Sequence, residues 1–430
     1  MERKRYNKGD ILNNKYQILK YLASGGFSDV YLVCLKEDYG VLAKTYDDEK
    51  DQLKVKKKKV SELEGEEREK IVFACKVLYI KDKEKQETFF DEVKILKVVK
   101  NLKSEYTKNI AQFIEYFELG SLEHENYQIC IIQEYVDGIT LANYLALHPN
   151  LTWISAVRVI KEIALGLKAF HESNFKIIHR DLKPENCLVN LSLTKVKIID
   201  YGASSAFYSN KDLTLDRDIK CSIPYAPPSI LKISNEITKK AKIENKTAIS
   251  YNAQKIYQEV FNHHYDIHSL GVMLYELIAN KLPFDHIPID KGKSETKKFI
   301  EMLKMYERYD YDPLSLMNPT IPIGIDNILT RCFAWKPKDY LWKYPDINAF
   351  IKDLDAVFDE QHDINQNYYK PLETQILYKD RKASLNSIKK EDQKFYLRKW
   401  MLILITSIVC ILVFVLIVLL IYYNVGNYGS

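Results

Sequence analysis

The sequence predicts an α+β fold of two lobes, a small β-rich one followed by a larger α-helical one, with a single transmembrane helix at the C-terminus. Three observations carry this expectation. Residues 16 to about 120 contain YQILKYLAS, VYLVCL, IVFACKVLYI and AQFIEYFEL, runs with the β-branched and aromatic content of half-buried strands. From about residue 138 apolar side chains recur three and four apart, in LANYLALH and TWISAVRVIKEIALGLKAFHESN, the period of a helix with one buried face. Met401–Tyr423 is a stretch of 23 residues without a charged side chain, and at 1.5 Å per residue a helix of that length spans a hydrocarbon core of about 30 Å with some tilt.

Composition narrows the function classes. The 430 residues are 47% apolar and 28% charged, with a net charge of +5, which excludes a mainly disordered or collagen-like chain. So mild a positive charge argues against a nucleic-acid partner that depends on the overall field. The seven cysteines form no C-x-x-C pair, so neither a zinc site nor a disulfide framework is indicated, and reduced thiols in a cytosolic compartment are expected.

Along the chain, the helical stretch ETFFDEVKILKVVKNL interrupts the strands of the first lobe. Residues 45–70 are dense in charge, with KVKKKK followed by ELEGEEREK. They read as a solvated loop or helix inside an insertion, with anionic lipid or nuclear import as the second reading. Residues 359–400 are polar and basic and read as a juxtamembrane linker. Of the 23 residues of the span, 17 are Leu, Ile, Val or Phe, worth on the order of −5 to −10 kcal/mol towards insertion. Arg381, Lys382, Lys389, Lys390, Lys394, Arg398 and Lys399 precede it, and the tail 424–430 carries no charged side chain. Positive residues stay on the cytoplasmic side, so the large N-terminal part is expected in the cytoplasm. Residues 1–10 contain no apolar stretch of signal-peptide length. The short tail is too small for a folded outer domain, while self-association through the span stays open.

The chemistry-bearing residues fall in separated motifs in one order. The most specific is IIHRDLKPENCLV at 177–189, followed by KVKIIDYGASS around Asp200, SIPYAPPSIL at 222–231 and YDIHSLGVMLYELIANKLPF from Tyr265. Upstream stand LASGGFSDVYLV and VFACKVLYI. Together they resemble the protein kinase family over about residues 16–358, with insertions at about 39–70 and 232–260.

The resemblance implies a set of roles. Phosphoryl transfer runs through a loose transition state, so the protein mainly positions groups and neutralises charge. Asp181 would accept or orient the proton of the substrate hydroxyl, and Lys183 would reach the transferring phosphate. Asn186 and Asp200 would supply oxygen ligands to magnesium, or manganese in its place. Tyr201 stands where the family usually has Phe, adding a hydroxyl that needs a partner. Aligned on Val30, the three glycine positions of the phosphate loop hold Ala23, Gly25 and Ser28, with Gly26 beside the middle one. Two lysines compete as the nucleotide lysine. Lys76 has the A-x-K context and lies 16 residues before Glu92, an ordinary separation for the Lys–Glu ion pair, whereas Lys44 has the more usual distance from the glycine loop. The first is favoured and the second stays the alternative.

The hinge would be IIQEYVDGITL, with Gln133 as gatekeeper, Glu134 and Val136 offering backbone groups to adenine and Asp137 reaching the ribose. Ser229 replaces the glutamate that closes the activation segment, and Tyr340 falls where its arginine partner would be. Loss of both partners of a buried pair is nearly neutral, whereas loss of one is costly. Lys183 two residues after Asp181 is the serine/threonine pattern. Arg180 would pair with a phosphorylated loop residue, for which Ser204, Ser205, Ser209, Thr214 and Ser222 are candidates. The implied protein is an ATP- and magnesium-dependent protein kinase acting on protein substrates from the cytoplasmic face of a membrane. The alternative is a pseudokinase scaffold that binds partners there without phosphoryl transfer.

Overall fold

The computed structural model describes residues 5–24, 28–38, 41–47, 52–58, 71–79, 83–121, 127–149, 151–201, 205–206, 222–230, 232, 262–284, 302–306, 311–335 and 343–366. All belong to one compact unit, Met1–Tyr369. The second unit, Lys370–Ser430, lies outside the described residues, and with it the expected membrane span and tail. Among the described residues no helix is long and apolar enough to cross a membrane.

The first lobe is built on a six-stranded antiparallel sheet. Its strands are β1 (Ile11–Leu12), β2 (Tyr16–Ser24), β3 (Ser28–Leu35), β6 (Val72–Tyr79), β7 (Phe113–Leu119) and β8 (Gln128–Glu134), in the order β1-β2-β3-β6-β8-β7. Side chains alternate between the faces of a strand. Tyr31, Val33, Cys75, Val77, Cys130 and Ile132 thereby share one face and form the buried cluster with Tyr16 and Phe117. Lys76 and its register partner Val30 point the other way. β4 (Val41–Asp47) and β5 (Gln52–Lys58) pair only with each other, while β3 pairs directly with β6. The chain from β3 to β6 thus leaves the sheet and returns to it. The lysine-rich run, expected as loop or helix, lies largely in strand β5, because alternation along QLKVKKK suits a two-stranded ribbon as well as a solvated coil.

Helix α1 (Lys83–Lys100) separates β6 from β7. The strand β9 (Ile139–Thr140) and helix α2 (Leu141–Leu147) lead into the second lobe, where Gly138 meets the sheet so closely that a Cβ would stand 2.5 Å from the Val189 carbonyl oxygen. Helix α3 (Trp153–His171) starts at Thr152, whose hydroxyl accepts the Ser155 amide at 3.2 Å. Short strands β10 (Ile177–Ile178), β11 (Cys187–Val189), β12 (Val196–Ile198) and β13 (Ser205–Ala206) follow. Helix α4 (His263–Ala279) is buried nearly all round and forms the centre of the lobe. Against it stand α5 (Leu314–Met317), α6 (Ile323–Phe333) and α7 (Ile347–Ala356), and α8 (Asp363–Gln366) packs on α6. The compact unit runs past the expected boundary at Phe358: Ile364 is fully buried and its carbonyl accepts the Asn327 side-chain amide at 2.7 Å.

Burial of three imidazoles ties this core to pH. In His268 one ring nitrogen, Nδ1, faces the Cys332 carbonyl at 3.2 Å and the other, Nε2, the Tyr306 hydroxyl at 3.0 Å. A neutral ring satisfies both by donating from Nδ1 and accepting at Nε2. Burial pushes its pKa from 6.5 down to about 3. His179 and His264 are shifted the same way, with burial the largest cause. Between these limits the unfolded chain binds the proton and the folded one does not, so stability is lost as pH falls. The urea midpoint is expected to decline progressively from about pH 6.5 towards pH 3, with a shallower decline in His268→Asn; parallel profiles for the two proteins would contradict this.

Candidate active site

The loop carrying HRDLKPEN hangs from one buried carboxylate. Asp266, on the first turn of α4 and fully buried, accepts the backbone N–H of His179 at 2.9 Å and of Arg180 at 3.0 Å. It also faces His171 Nε2, at the end of α3, at 2.8 Å. Burial alone would raise its pKa; the His171 contact and the neighbouring imidazole and amide groups outweigh it and hold the carboxyl below its ordinary value. Arg180 has φ +67°, a conformation a non-glycine residue keeps only where its surroundings over-determine it. The two N–H bonds to Asp266 supply that constraint.

Beyond this anchor Asp181, Lys183 and Asn186 converge. Lys183 Nζ lies 3.0 Å from Asp181 Oδ2. The Asn186 side-chain amide donates to the Asp181 carbonyl at 2.7 Å and to Oδ2 at 3.2 Å, which leaves its own side-chain oxygen as the atom to offer a cation. Ser222 closes the group: its amide and hydroxyl donate to Asp181 Oδ1 at 3.0 and 2.7 Å, and the hydroxyl receives Lys183 Nζ at 2.7 Å. Ser222, expected among the phosphorylation candidates, is therefore engaged with the carboxylate and the ammonium of the HRDLKPEN loop. Ser205 lies on β13, opposite Ile178. Ser204, Ser209 and Thr214 lie outside the described residues.

Across the cleft, Lys76 Nζ is 2.8 Å from Asp200 Oδ2, over a sequence separation of 124 residues. Ala23, Ser28 and Val30 flank the turn between β2 and β3, with Ala23 opposite Val30 and Val30 opposite Lys76. Gly25 and Gly26 lie outside the described residues. Glu92 is on α1, but its side chain is not described, so its pairing with Lys76 is not part of this geometry. Lys44 sits on the separate ribbon, opposite Val55. Asn186 and Asp200 together offer the uncharged and anionic oxygens that suit a hard divalent cation.

The hinge strand is tied to the strand preceding Asp200. Glu134 Oε1 pairs with Lys197 Nζ at 2.5 Å, and Oε2 accepts the Gln112 amide at 3.1 Å. The Glu134 N–H is given to the Gln112 carbonyl at 2.8 Å. Val136 is buried; Asp137 is exposed and accepts the Tyr135 hydroxyl at 3.2 Å. Tyr201 is buried against Phe170, and its hydroxyl finds the Ala111 carbonyl at 2.9 Å. Burial pushes that phenol well above its ordinary pKa, so it stays a donor. Ser229 is half-buried, while Tyr340 and the stretch 233–261 lie outside the described residues.

Lys197 and His171 are participants not foreseen from the sequence, and Ser222 was foreseen only as a phosphorylation candidate. The available signals were a lysine inside the apolar strand VKI, three residues before Asp200, and a histidine closing a helix eight residues before His179. Neither names its partner, since each partner lies far away in sequence.

Residues 60–341 match the protein kinase domain. A Mycoplasma genitalium protein assigned by its description to the serine/threonine-protein kinases is 27% identical over 430 residues, covering 97% of both chains. A Mycoplasma pneumoniae protein with the same description is 27% identical over 254 residues, 58% of each chain. Serine/threonine-protein kinase PrkC of Bacillus subtilis is 23% identical over 351 residues, 82% of this chain and 42% of that protein. The chain thus spans little more than half of one of these relatives, less than half of another and nearly all of the third. It belongs to the protein kinase domain family, and its enzyme class is that of the ATP-dependent serine/threonine protein kinases. The matched span includes Lys76, Glu134, the HRDLKPEN loop and Asp200, and begins after Ala23–Val30.

The Lys197–Glu134 pair is largely buried, with the side chains 9% and 23% exposed. Lys197→Met leaves the carboxylate without its cation and is expected to lower unfolding stability by about 3 kcal/mol, read from urea curves. A loss well below 1 kcal/mol would show that the Gln112 amide suffices.

Proposed function

We propose that this chain transfers the γ-phosphoryl group of ATP to serine and threonine hydroxyls of cytoplasmic proteins while held at a membrane by its C-terminal segment. The observation that carries the transfer is the meeting of Lys76 and Asp200 at 2.8 Å, which faces a lysine of the strand lobe towards the aspartate that follows the catalytic loop. In this reading Lys76 grips the nucleotide phosphates, and the backbone at Glu134 and Val136 receives the adenine. Asn186 and Asp200 hold magnesium, whose charge offsets that of the phosphates when it is bound. Asp181 orients the incoming hydroxyl and takes its proton. Lys183, held beside it, stabilises charge on the transferring group. Ser222 keeps both groups in register before substrate arrives, and a substrate hydroxyl takes over its bond to Asp181.

A second reading, a scaffold without transfer, draws on Ala23 and Ser28 in two glycine positions and on an Asp181 carboxylate with both oxygens already engaged. Transfer from labelled ATP separates the two. Asp181→Asn and Asp200→Asn are each expected to lower the rate by about 10²-fold or more while the chain stays folded. A folded, nucleotide-binding wild type that transfers nothing to generic substrates would favour the scaffold.

Membrane attachment rests on the uncharged run Met401–Tyr423 and the basic residues before it. The full chain is expected to stay with lipid vesicles through high salt and alkaline washing, and a chain ending at residue 400 to be released. The basic cluster adds about 1 kcal/mol per charge near an anionic surface. Equal retention of both chains would remove the anchor.

A further inference from the structure

Asp200 has φ +24°, a backbone setting that aspartate enters more readily than most residues but still at a cost. On its N-terminal side the fixing is plain: the Ile199 amide donates to the Asn186 carbonyl at 2.9 Å, and the Ile198 carbonyl accepts the Ala111 amide at 2.8 Å. On its C-terminal side stands Tyr201, 2% exposed, whose hydroxyl donates to the Ala111 carbonyl. The acceptor is itself held. Ile110 bridges Ile198 in parallel, the Gln112 amide donates to Glu134, and the Gln112 side chain donates back to the Thr107 and Ile110 carbonyls. One three-residue segment, 110–112, thus receives a bond from Tyr201, gives one to β12 and exchanges two with the hinge strand. A ring packed on Phe170 can still slide and tilt; a hydroxyl on a fixed carbonyl sets its depth and direction.

We propose that the Tyr201 hydroxyl is a positioning group for Asp200: through Ala111 it holds the strained turn that presents the carboxylate to Lys76 and to the bound metal. The inference rests on the reading of Asp200 as a metal ligand. The hydroxyl does what a phenylalanine at this position cannot, and it links the place where adenine docks to the residue that meets the phosphates.

The test uses the full chain, Mn²⁺ as a spectroscopic probe and ADP. Mn²⁺ affinity in the presence of ADP is read by electron paramagnetic resonance, ADP affinity without metal by calorimetry, and unfolding by heat. Tyr201→Phe keeps the ring and is expected to weaken Mn²⁺ binding roughly three- to tenfold, the worth of one buried hydrogen bond. ADP affinity without metal stays unchanged, and the magnesium requirement of transfer rises in parallel. Asp200→Asn, as control, removes most of the metal binding. If Tyr201→Phe lowers only the unfolding temperature, or changes nothing, the hydroxyl merely satisfies a buried polar group and the proposal falls. If the wild type shows no metal-dependent ADP binding, the reading of Asp200 falls first, and this inference with it.

Discussion

Everything at the site hangs on the buried carboxylate of Asp266. A charge so deep in the protein is costly unless its lone pairs are filled, and here the filling groups are the two consecutive backbone amides of His179 and Arg180 together with His171. The requirement works in both directions. The carboxylate needs the amides to offset its desolvation, and the loop needs the carboxylate to keep Arg180 in a left-handed conformation. Asp181 follows directly, so its position relative to Lys183, Asn186 and Ser222 is inherited from a contact on the opposite side of the loop. The helix bearing Asp266 is buried nearly all round, and Gly271 within it lets Cys332 of α6 approach where a Cβ would stand 2.4 Å away. The anchor is therefore set in a closely packed part of the lobe.

The strand lobe supplies the other half by simple alternation. Along β6 the odd residues Cys75 and Val77 enter the buried cluster, so Lys76 between them must face the cleft. Val30 comes to the same face because the register pairs it with Lys76. A one-residue slip would bury the lysine and expose the cluster. That constraint holds the register while the long excursion through β4 and β5 leaves the sheet order intact.

Several positions depart from the usual pattern of the family and show how a fold accommodates such changes. Tyr201 brings a hydroxyl into the interior, and Ala111 receives it. Tyr225, just before the segment that lacks the usual glutamate, donates to Glu276 on α4 at 2.7 Å, and Ser269 donates to the Tyr225 carbonyl at 2.9 Å. The segment around Tyr225 is thereby fastened to the central helix through neutral hydroxyls, whose desolvation is less costly than that of an unpaired charge. Burial raises the pKa of Glu276 despite the Tyr225 bond, in keeping with a partner that is a hydroxyl and not a cation.

Local pattern and motif spacing sufficed for most of the elements. The β2 run 16–24 and the helices at 141–147 and 153–171 are legible because strand and helix periods are short-range properties. HRDLKPEN and the aspartate of DYG are legible because each stands in a short contiguous motif, the second 14 residues after Asn186. The ribbon at 41–58 was not legible, since charge density masks a period of two. Nor was the role of Ser222, read from sequence as one hydroxyl among five in a loop. The pairs Lys76–Asp200, Lys197–Glu134 and His171–Asp266 join residues 124, 63 and 95 positions apart. Sequence determined which groups are candidates for the chemistry; only the tertiary structure decided which of them meet, because those meetings are set by strand register and helix packing, which no local period encodes.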